Sequence, residues 1–154
     1  MNQTHNLSLL IARLVLGTII AVHGAQKLFG WFGGYGFEGS ASYFTDVIGL
    51  PYFAAVLIIL AESIGMIALI AGLFSRLLSV SLIIIMAGAI ISHGQYGFFM
   101  NWSGTQGGEG IEYHLLVIGL SSIIALSGAG QFSLDALIHA RLREFKSPVR
   151  QIFQ

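Results

Sequence analysis

Cysteine is absent from this chain of 154 residues, proline occurs twice, and Asp, Glu, Lys and Arg together make up only 9% of it. The missing thiols exclude disulfide exchange, thiolate nucleophiles, Cys-ligated zinc and Fe-S clusters. The charge fraction is far below the roughly 25% of soluble domains. Seven basic residues balance seven acidic ones, so no net field recruits nucleic acid or an acidic polymer. What fills the space is oil: 55% of the residues are hydrophobic and the mean hydropathy is +0.81. The expected class is an all-α integral membrane protein, and the length allows a single domain over residues 1–154.

A helix needs about 20 mainly apolar residues to cross about 30 Å of hydrocarbon. Four segments approach that length, at about residues 7–24, 52–74, 77–92 and 111–127, which predicts a four-helix transmembrane bundle. The first resembles a signal peptide only in part, because Arg13 interrupts its apolar region and no Lys or Arg precedes it, so it is read as a span. Arg141, Arg143, Lys146 and Arg150 follow the fourth span, and Arg76 lies between the second and third. Residues 25–51 and 93–110 carry only Lys27. The positive-inside bias places both termini in the cytoplasm and those two connections outside, in the plasma (inner) membrane of a bacterial source.

Two short interfacial helices are expected beside the spans. Ser40 is a candidate N-cap for a helix carrying Ala41, Phe44 and Ile48, ended by Gly49 and Pro51. In the tail, Gly128 and Gly130 stop the fourth span, Ser133 caps, and Leu134, Leu137, Ile138 and Phe145 form an apolar stripe beside the basic residues, as in a helix resting on an anionic leaflet. The glycines of HGAQKLFGWFGGYGFEG, residues 23–39, follow a helix instead of opening one, so they are not a dinucleotide fingerprint. Gly65 with Gly72, Gly88 with Ser81 and Ser92, and Gly119 with Ser122 are read as helix-packing positions.

Polar residues inside the spans require partners. Arg13 lies six residues into the first span and Glu62 ten into the second, about 9 and 15 Å deep, so a buried Arg13–Glu62 ion pair is expected, whether to fix register or to handle protons or a ligand. A second group gathers at the outer end: His23, Gln26 and Lys27 close the first span, His93 and Gln95 the third, and Glu109, Glu112 and His114 open the fourth. Such a set can donate to a carbonyl oxygen and relay a proton. Polar residues at helix ends are also ordinary, because membrane water begins there and a lysine can snorkel. His23, His93 and His114 lack the local spacing of a metal site, and no metal is expected.

The segments RLVLGTIIAVHGAQKLFGWFGGYGFEG, AES with GLFSR, HGQYGFF, GGEGIEYHLL and GAGQFSLD resemble, in order, those of the DoxX family of small four-helix membrane proteins, over about residues 13–135. Gln131, where a basic residue is expected, and His114 depart from the pattern. The resemblance implies quinone-linked redox or oxidative-stress chemistry, with Arg13, His23, Gln26, Lys27, Glu62, His93, Glu109, Glu112 and Tyr113 in the shared motifs. Two functions follow as expectations. In the first, the chain is a redox subunit binding a quinone or small aromatic: His23 and Lys27 hydrogen-bond the head group, Gln26, Trp31, Glu109 and Tyr113 are further ligand-binding residues, Glu112 with His93 or His114 exchanges protons, and Trp31, Phe32 and Tyr35 cover the ring. No flavin, haem or Fe-S motif is present, so electrons come from the ligand or a redox partner protein. In the second, the chain is a non-catalytic membrane anchor or assembly partner whose polar cluster is structural. A proton or solute pathway through Arg13 and Glu62 is weaker, since no broken span is visible. Substrate and oligomeric state are left open.

Overall fold

The computed structural model describes residues 2–150, with side chains described from 2 to 143. Helices account for its regular structure and no strand occurs among the described residues. Seven α-helices follow one another: α1 (Gln3–Phe29), α2 (Gly36–Ser42), α3 (Tyr52–Glu62), α4 (Ile64–Ala71), α5 (Ser75–His93), α6 (Glu112–Ser127) and α7 (Leu134–Arg150). Helix α1 is capped by the Asn2 side chain, which accepts from His5 N, and ends where Gly30 adopts φ 72°.

Three stretches, Gln3–Phe29, Tyr52–Ala71 and Ser75–Tyr96, are long and apolar enough to cross a membrane. The fourth expected span is the 16-residue apolar helix α6, about 24 Å long and short of that criterion. These apolar helices point to a membrane protein. Leu16 and Ile20 of α1, Met66 and Leu69 of α4, Leu82 and Met86 of α5, and Val117 and Ile124 of α6 form one core. Helix α1 packs against α2, α3, α4 and α6, while α5 and α6 make the most extensive helix pair.

The second span is not continuous. It breaks at Ser63 (φ −100°, ψ −84°), whose hydroxyl donates to Ile59 O at 2.6 Å. A serine that bonds back to its own helix is a recognised source of bending. Here α1 presses on the break: Gly24 lies so close that a Cβ there would overlap the Glu62 carbonyl. Only glycine permits that approach.

At the opposite end, α7 is sewn to the bundle. The Asp135 carboxylate accepts from Phe74 N at 2.9 Å and Ser75 N at 3.1 Å, capping α5, while Asp135 N donates to Gly72 O at 2.9 Å. Ser133 caps α7 as expected, accepting from Ala136 N at 3.1 Å. The Asn6 side chain accepts from Gln131 N at 3.0 Å. Leu134, Leu137 and Ile138 are exposed along α7, and Phe145, Lys146 and Arg150 lie outside the residues whose side chains are described.

Two local expectations are corrected. Helix α2 starts at Gly36 with Tyr35 at its cap, so Ser40 is interior; it forms with Ala41 the buried face of a helix lodged against α1 and α3. Gly88 and Gly119 have no atom within 4 Å of a built Cβ, hence neither brings helices together within the chain, whereas Gly65 sits against Leu78 and Gly72 against Arg13 and Ser133.

Candidate functional site

The residues that bear on chemistry sit where α1, the α3–α4 break, α5 and α6 meet near the loop end of the bundle. Glu62, the last residue of α3, is 4% exposed, and its Oε2 lies 2.7 Å from Lys27 Nζ. The expected Arg13–Glu62 pair does not form. Gly24 abuts Glu62, so the carboxylate stands one turn below Lys27 on α1, while Arg13 lies eleven residues, about 16 Å, farther along the same helix. Counting depth inward from each end of the apolar runs brought the two closer than the packing allows.

Arg13 instead has a purely architectural set of partners. Fully buried, it donates from Nη1 to Ile70 O at 3.0 Å and to Leu69 O at 3.5 Å, and from Nη2 to Phe132 O. A guanidinium fork thus meets Ile70 O and Leu69 O at the C-terminus of α4, the second of which also accepts from Gly72 N at 3.0 Å, and it ties α4 to the loop before α7. Gly72, at φ 75°, leaves room for it.

Around the Lys27–Glu62 pair, α6 contributes Tyr113 and His114. The Glu62 carboxylate is near enough to both to act on them electrostatically. Among the described residues, neither buried Tyr113 OH nor buried His114 Nδ1 has a hydrogen-bond partner of good geometry, although the carbonyls of Gly110 and Ile111 are near the His114 ring. Buried polar atoms left this way are costly and call for a ligand or water; Arg13 Nε and the hydroxyls of Ser75, Ser79 and Ser121 share that state elsewhere in the bundle, and what sets these two apart is the ion pair beside them. The rings extend the cluster outward. His114 and His93 have centroids 5.2 Å apart, Tyr113 and His23 5.8 Å, and His93 and Tyr96 6.4 Å. His93 Nδ1 is 2.9 Å from Ala89 O, so it donates to that carbonyl.

Glu109 and Glu112 are not part of this cluster. The Glu112 carboxylate accepts from Met100 N and from Trp102 Nε1, both at 2.9 Å, and Glu109 accepts from Asn101 N at 2.8 Å. Both acids hold the loop that leads into α6. Gln26 likewise supports a turn, donating to Phe32 O at 3.4 Å and contacting His23 Nδ1 at 3.1 Å. Trp31 stacks on Phe29, with centroids 5.0 Å apart, and does not reach the ion pair; Tyr35, 86% exposed, covers nothing. The arrangement therefore joins Lys27, Glu62, Tyr113, His114, His93 and His23, with Gln26 attached at its edge through His23, and separates Glu109, Glu112 and Arg13 from them.

Between α1 and α4 runs a groove of about 360 Å³, almost wholly apolar in its lining, to which none of the six cluster residues contributes. Ser63, at the helix break, is one of its residues. Nothing in the apolar run around it announces this feature, which depends on two helices packing.

A family model, DoxX, matches residues 8–95. The chain is 32% identical over 138 residues, 90% of its length and 92% of the relative's, to a Bacillus subtilis (strain 168) protein named "Putative oxidoreductase CatD". No solved structure matches. With more than half of the chain under the family model and a relative aligned over nearly its whole length, the protein belongs to the DoxX family.

Proposed function

We propose that this chain is a four-span protein of the bacterial plasma membrane, with both termini cytoplasmic, that takes part in redox chemistry by binding a quinone or small aromatic head group beside the Lys27–Glu62 pair. The observation that carries the reading is the coincidence of a buried ion pair with two buried, unpartnered polar atoms, Tyr113 OH and His114 Nδ1, on the facing helix. Lys27 and Tyr113 donate toward a carbonyl oxygen. Glu62, His114 and His93 exchange the protons that accompany its reduction, and Glu112 holds a loop instead of acting as a base. The name of the Bacillus relative supports a redox role by analogy. The bound quinone accepts two electrons with two protons, and the electrons come from a reduced partner protein, since the chain has no Cys and no motif for a redox centre of its own.

The anchor reading has its own support in Arg13, Glu109, Glu112 and Asp135, whose side chains all hold backbone segments together. The two readings separate on ligand content. Protein purified in mild detergent and extracted with organic solvent should yield close to one quinone or aromatic ligand per chain. Tyr113→Phe should lower that yield by about tenfold, the loss of a hydrogen bond that a ligand oxygen needs, and Glu62→Gln should lower it too by removing the charge that holds Lys27 in place. A yield well below one per chain that neither substitution changes would leave the anchor reading standing.

A further inference from the structure

We infer that α7 is a docking arm for a lipid surface: its exposed apolar stripe lies on the leaflet beside the tied end of the bundle and is held there by anionic headgroups. The inference stands apart from the head-group site at Lys27 and Glu62. Leu134, Leu137, Ile138 and Leu142 recur at i, i+3, i+4 and i+8, so they share one face of the helix. All four are exposed, Leu137 and Leu142 each to 56%. Helix α7 is absent from the helix pairs that pack extensively, so among the described residues nothing of the bundle covers that face.

The place where α7 starts decides what covers it. Its first turn is bonded to the connection between two spanning stretches, since Asp135 N donates to Gly72 O and the Asp135 carboxylate accepts from Phe74 N and Ser75 N. Tyr52–Ala71 ends on one side of that connection and Ser75–Tyr96 begins on the other, so α7 leaves the bundle where hydrocarbon gives way to headgroups. An amphipathic helix at that level buries its apolar face in the boundary between headgroups and acyl chains. Charge then selects the lipid. Asp135 turns its carboxylate to the bundle, which leaves Arg141, Arg143, Lys146 and Arg150 against Glu144 along the rest of the helix. Arg141 follows Leu137 by four residues and Ile138 by three, so it belongs to the face that meets the leaflet, where each cation adds attraction to anionic lipid. A second copy of α7 would bring the same excess of positive charge to the contact, which disfavours pairing of the two stripes.

The full chain is reconstituted in nanodiscs holding one copy each, made of phosphatidylcholine alone or mixed with phosphatidylglycerol. A fluorophore is attached to Ile138→Cys, on the stripe, or to Ala140→Cys, off it; both positions are exposed and the natural chain has no competing thiol. Lipids brominated close to the headgroup should quench the label at 138 in the mixed nanodiscs and leave the label at 140 in water, and quenching at 138 should fall when phosphatidylglycerol is omitted. Arg141→Gln and Arg143→Gln should each lower the ratio of quenched to unquenched label at 138 by about fivefold. A label on Leu116→Cys, exposed on α6, reports insertion of the chain and should be the same in every variant. A label at 138 that stays in water in the mixed nanodiscs overturns the inference and leaves the stripe to a protein partner. Equal quenching in both lipids, unchanged by either arginine substitution, overturns it as well, because headgroup charge then plays no part. Burial of the label only in discs holding two copies would assign the stripe to a second chain and overturn it too.

Discussion

Lys27 and Glu62 illustrate how a membrane protein tolerates a carboxylate in its interior. Glu62 is 4% exposed and its counter-ion reaches it from a quarter-exposed lysine, so the pair can be loosened from the lysine side only. Removing one partner of a buried pair strands the other at a cost of about 3–5 kcal/mol, whereas replacing both with neutral groups of similar size is often far cheaper. Lys27→Met should therefore lower the melting temperature in detergent by several degrees or more, and Lys27→Met with Glu62→Gln should recover most of that loss, given about 2–4 °C per kcal/mol for a chain of this size. A double variant no more stable than Lys27→Met would show that the pair's charge is immaterial to the fold. The polar residues of the bundle end were visible in the sequence, and their partners were not. Arg13 and Glu62 looked complementary because sequence supplies depth only by counting, and the Gly24 contact that sets the true depth is a tertiary fact. The orphaned Tyr113 hydroxyl gives no sequence signal, since a tyrosine near a helix start is as common in packing as in binding.

At the scale of elements, the loop between α5 and α6 is a carboxylate-clamped unit. Glu112 accepts two hydrogen bonds on a single oxygen, Oε1, from the Met100 backbone and the Trp102 indole, across ten and twelve residues of chain. Glutamine retains an acceptor oxygen, and alanine retains none. Glu112→Ala should thus raise chymotrypsin cleavage after Phe98, Phe99 or Trp102 by about tenfold or more, with Glu112→Gln falling in between, because an amide oxygen still accepts but without the charge that raises each bond to about 1.5–3 kcal/mol. A proton-exchanging role would predict the opposite pattern, with a functional defect as severe in the glutamine variant as in the alanine one. The helices themselves were legible from apolar length and glycine punctuation, and Ser133 announced the start of α7. The broken span was not: residues 52–71 read as one continuous apolar run with no proline inside it, and the bend arises from Ser63 bonding to Ile59 while α1 presses on it.

For the whole molecule, the two ends differ in charge in a way the structure sharpens. Arg76, Arg141 and Arg143 belong to the end where α4, α5 and α7 are tied together by Asp135. The other end carries Lys27 alone among residues 25–51 and 93–110, and Lys27 turns inward to Glu62, which leaves its loops without a basic side chain directed at a headgroup. The positive-inside asymmetry is therefore steeper than a count of residues implies, and it argues for the tied end lying in the cytoplasm. The absence of cysteine makes the point directly measurable, since any introduced thiol reports alone. Ser103, in the clamped loop, and Gln131, between α6 and α7, are both exposed. In intact cells a membrane-impermeant maleimide should label Ser103→Cys and should reach Gln131→Cys only after permeabilisation. The reverse pattern would invert the orientation, placing the Lys27–Glu62 cluster near the cytoplasmic face and moving the proposed proton exchange to that side of the membrane.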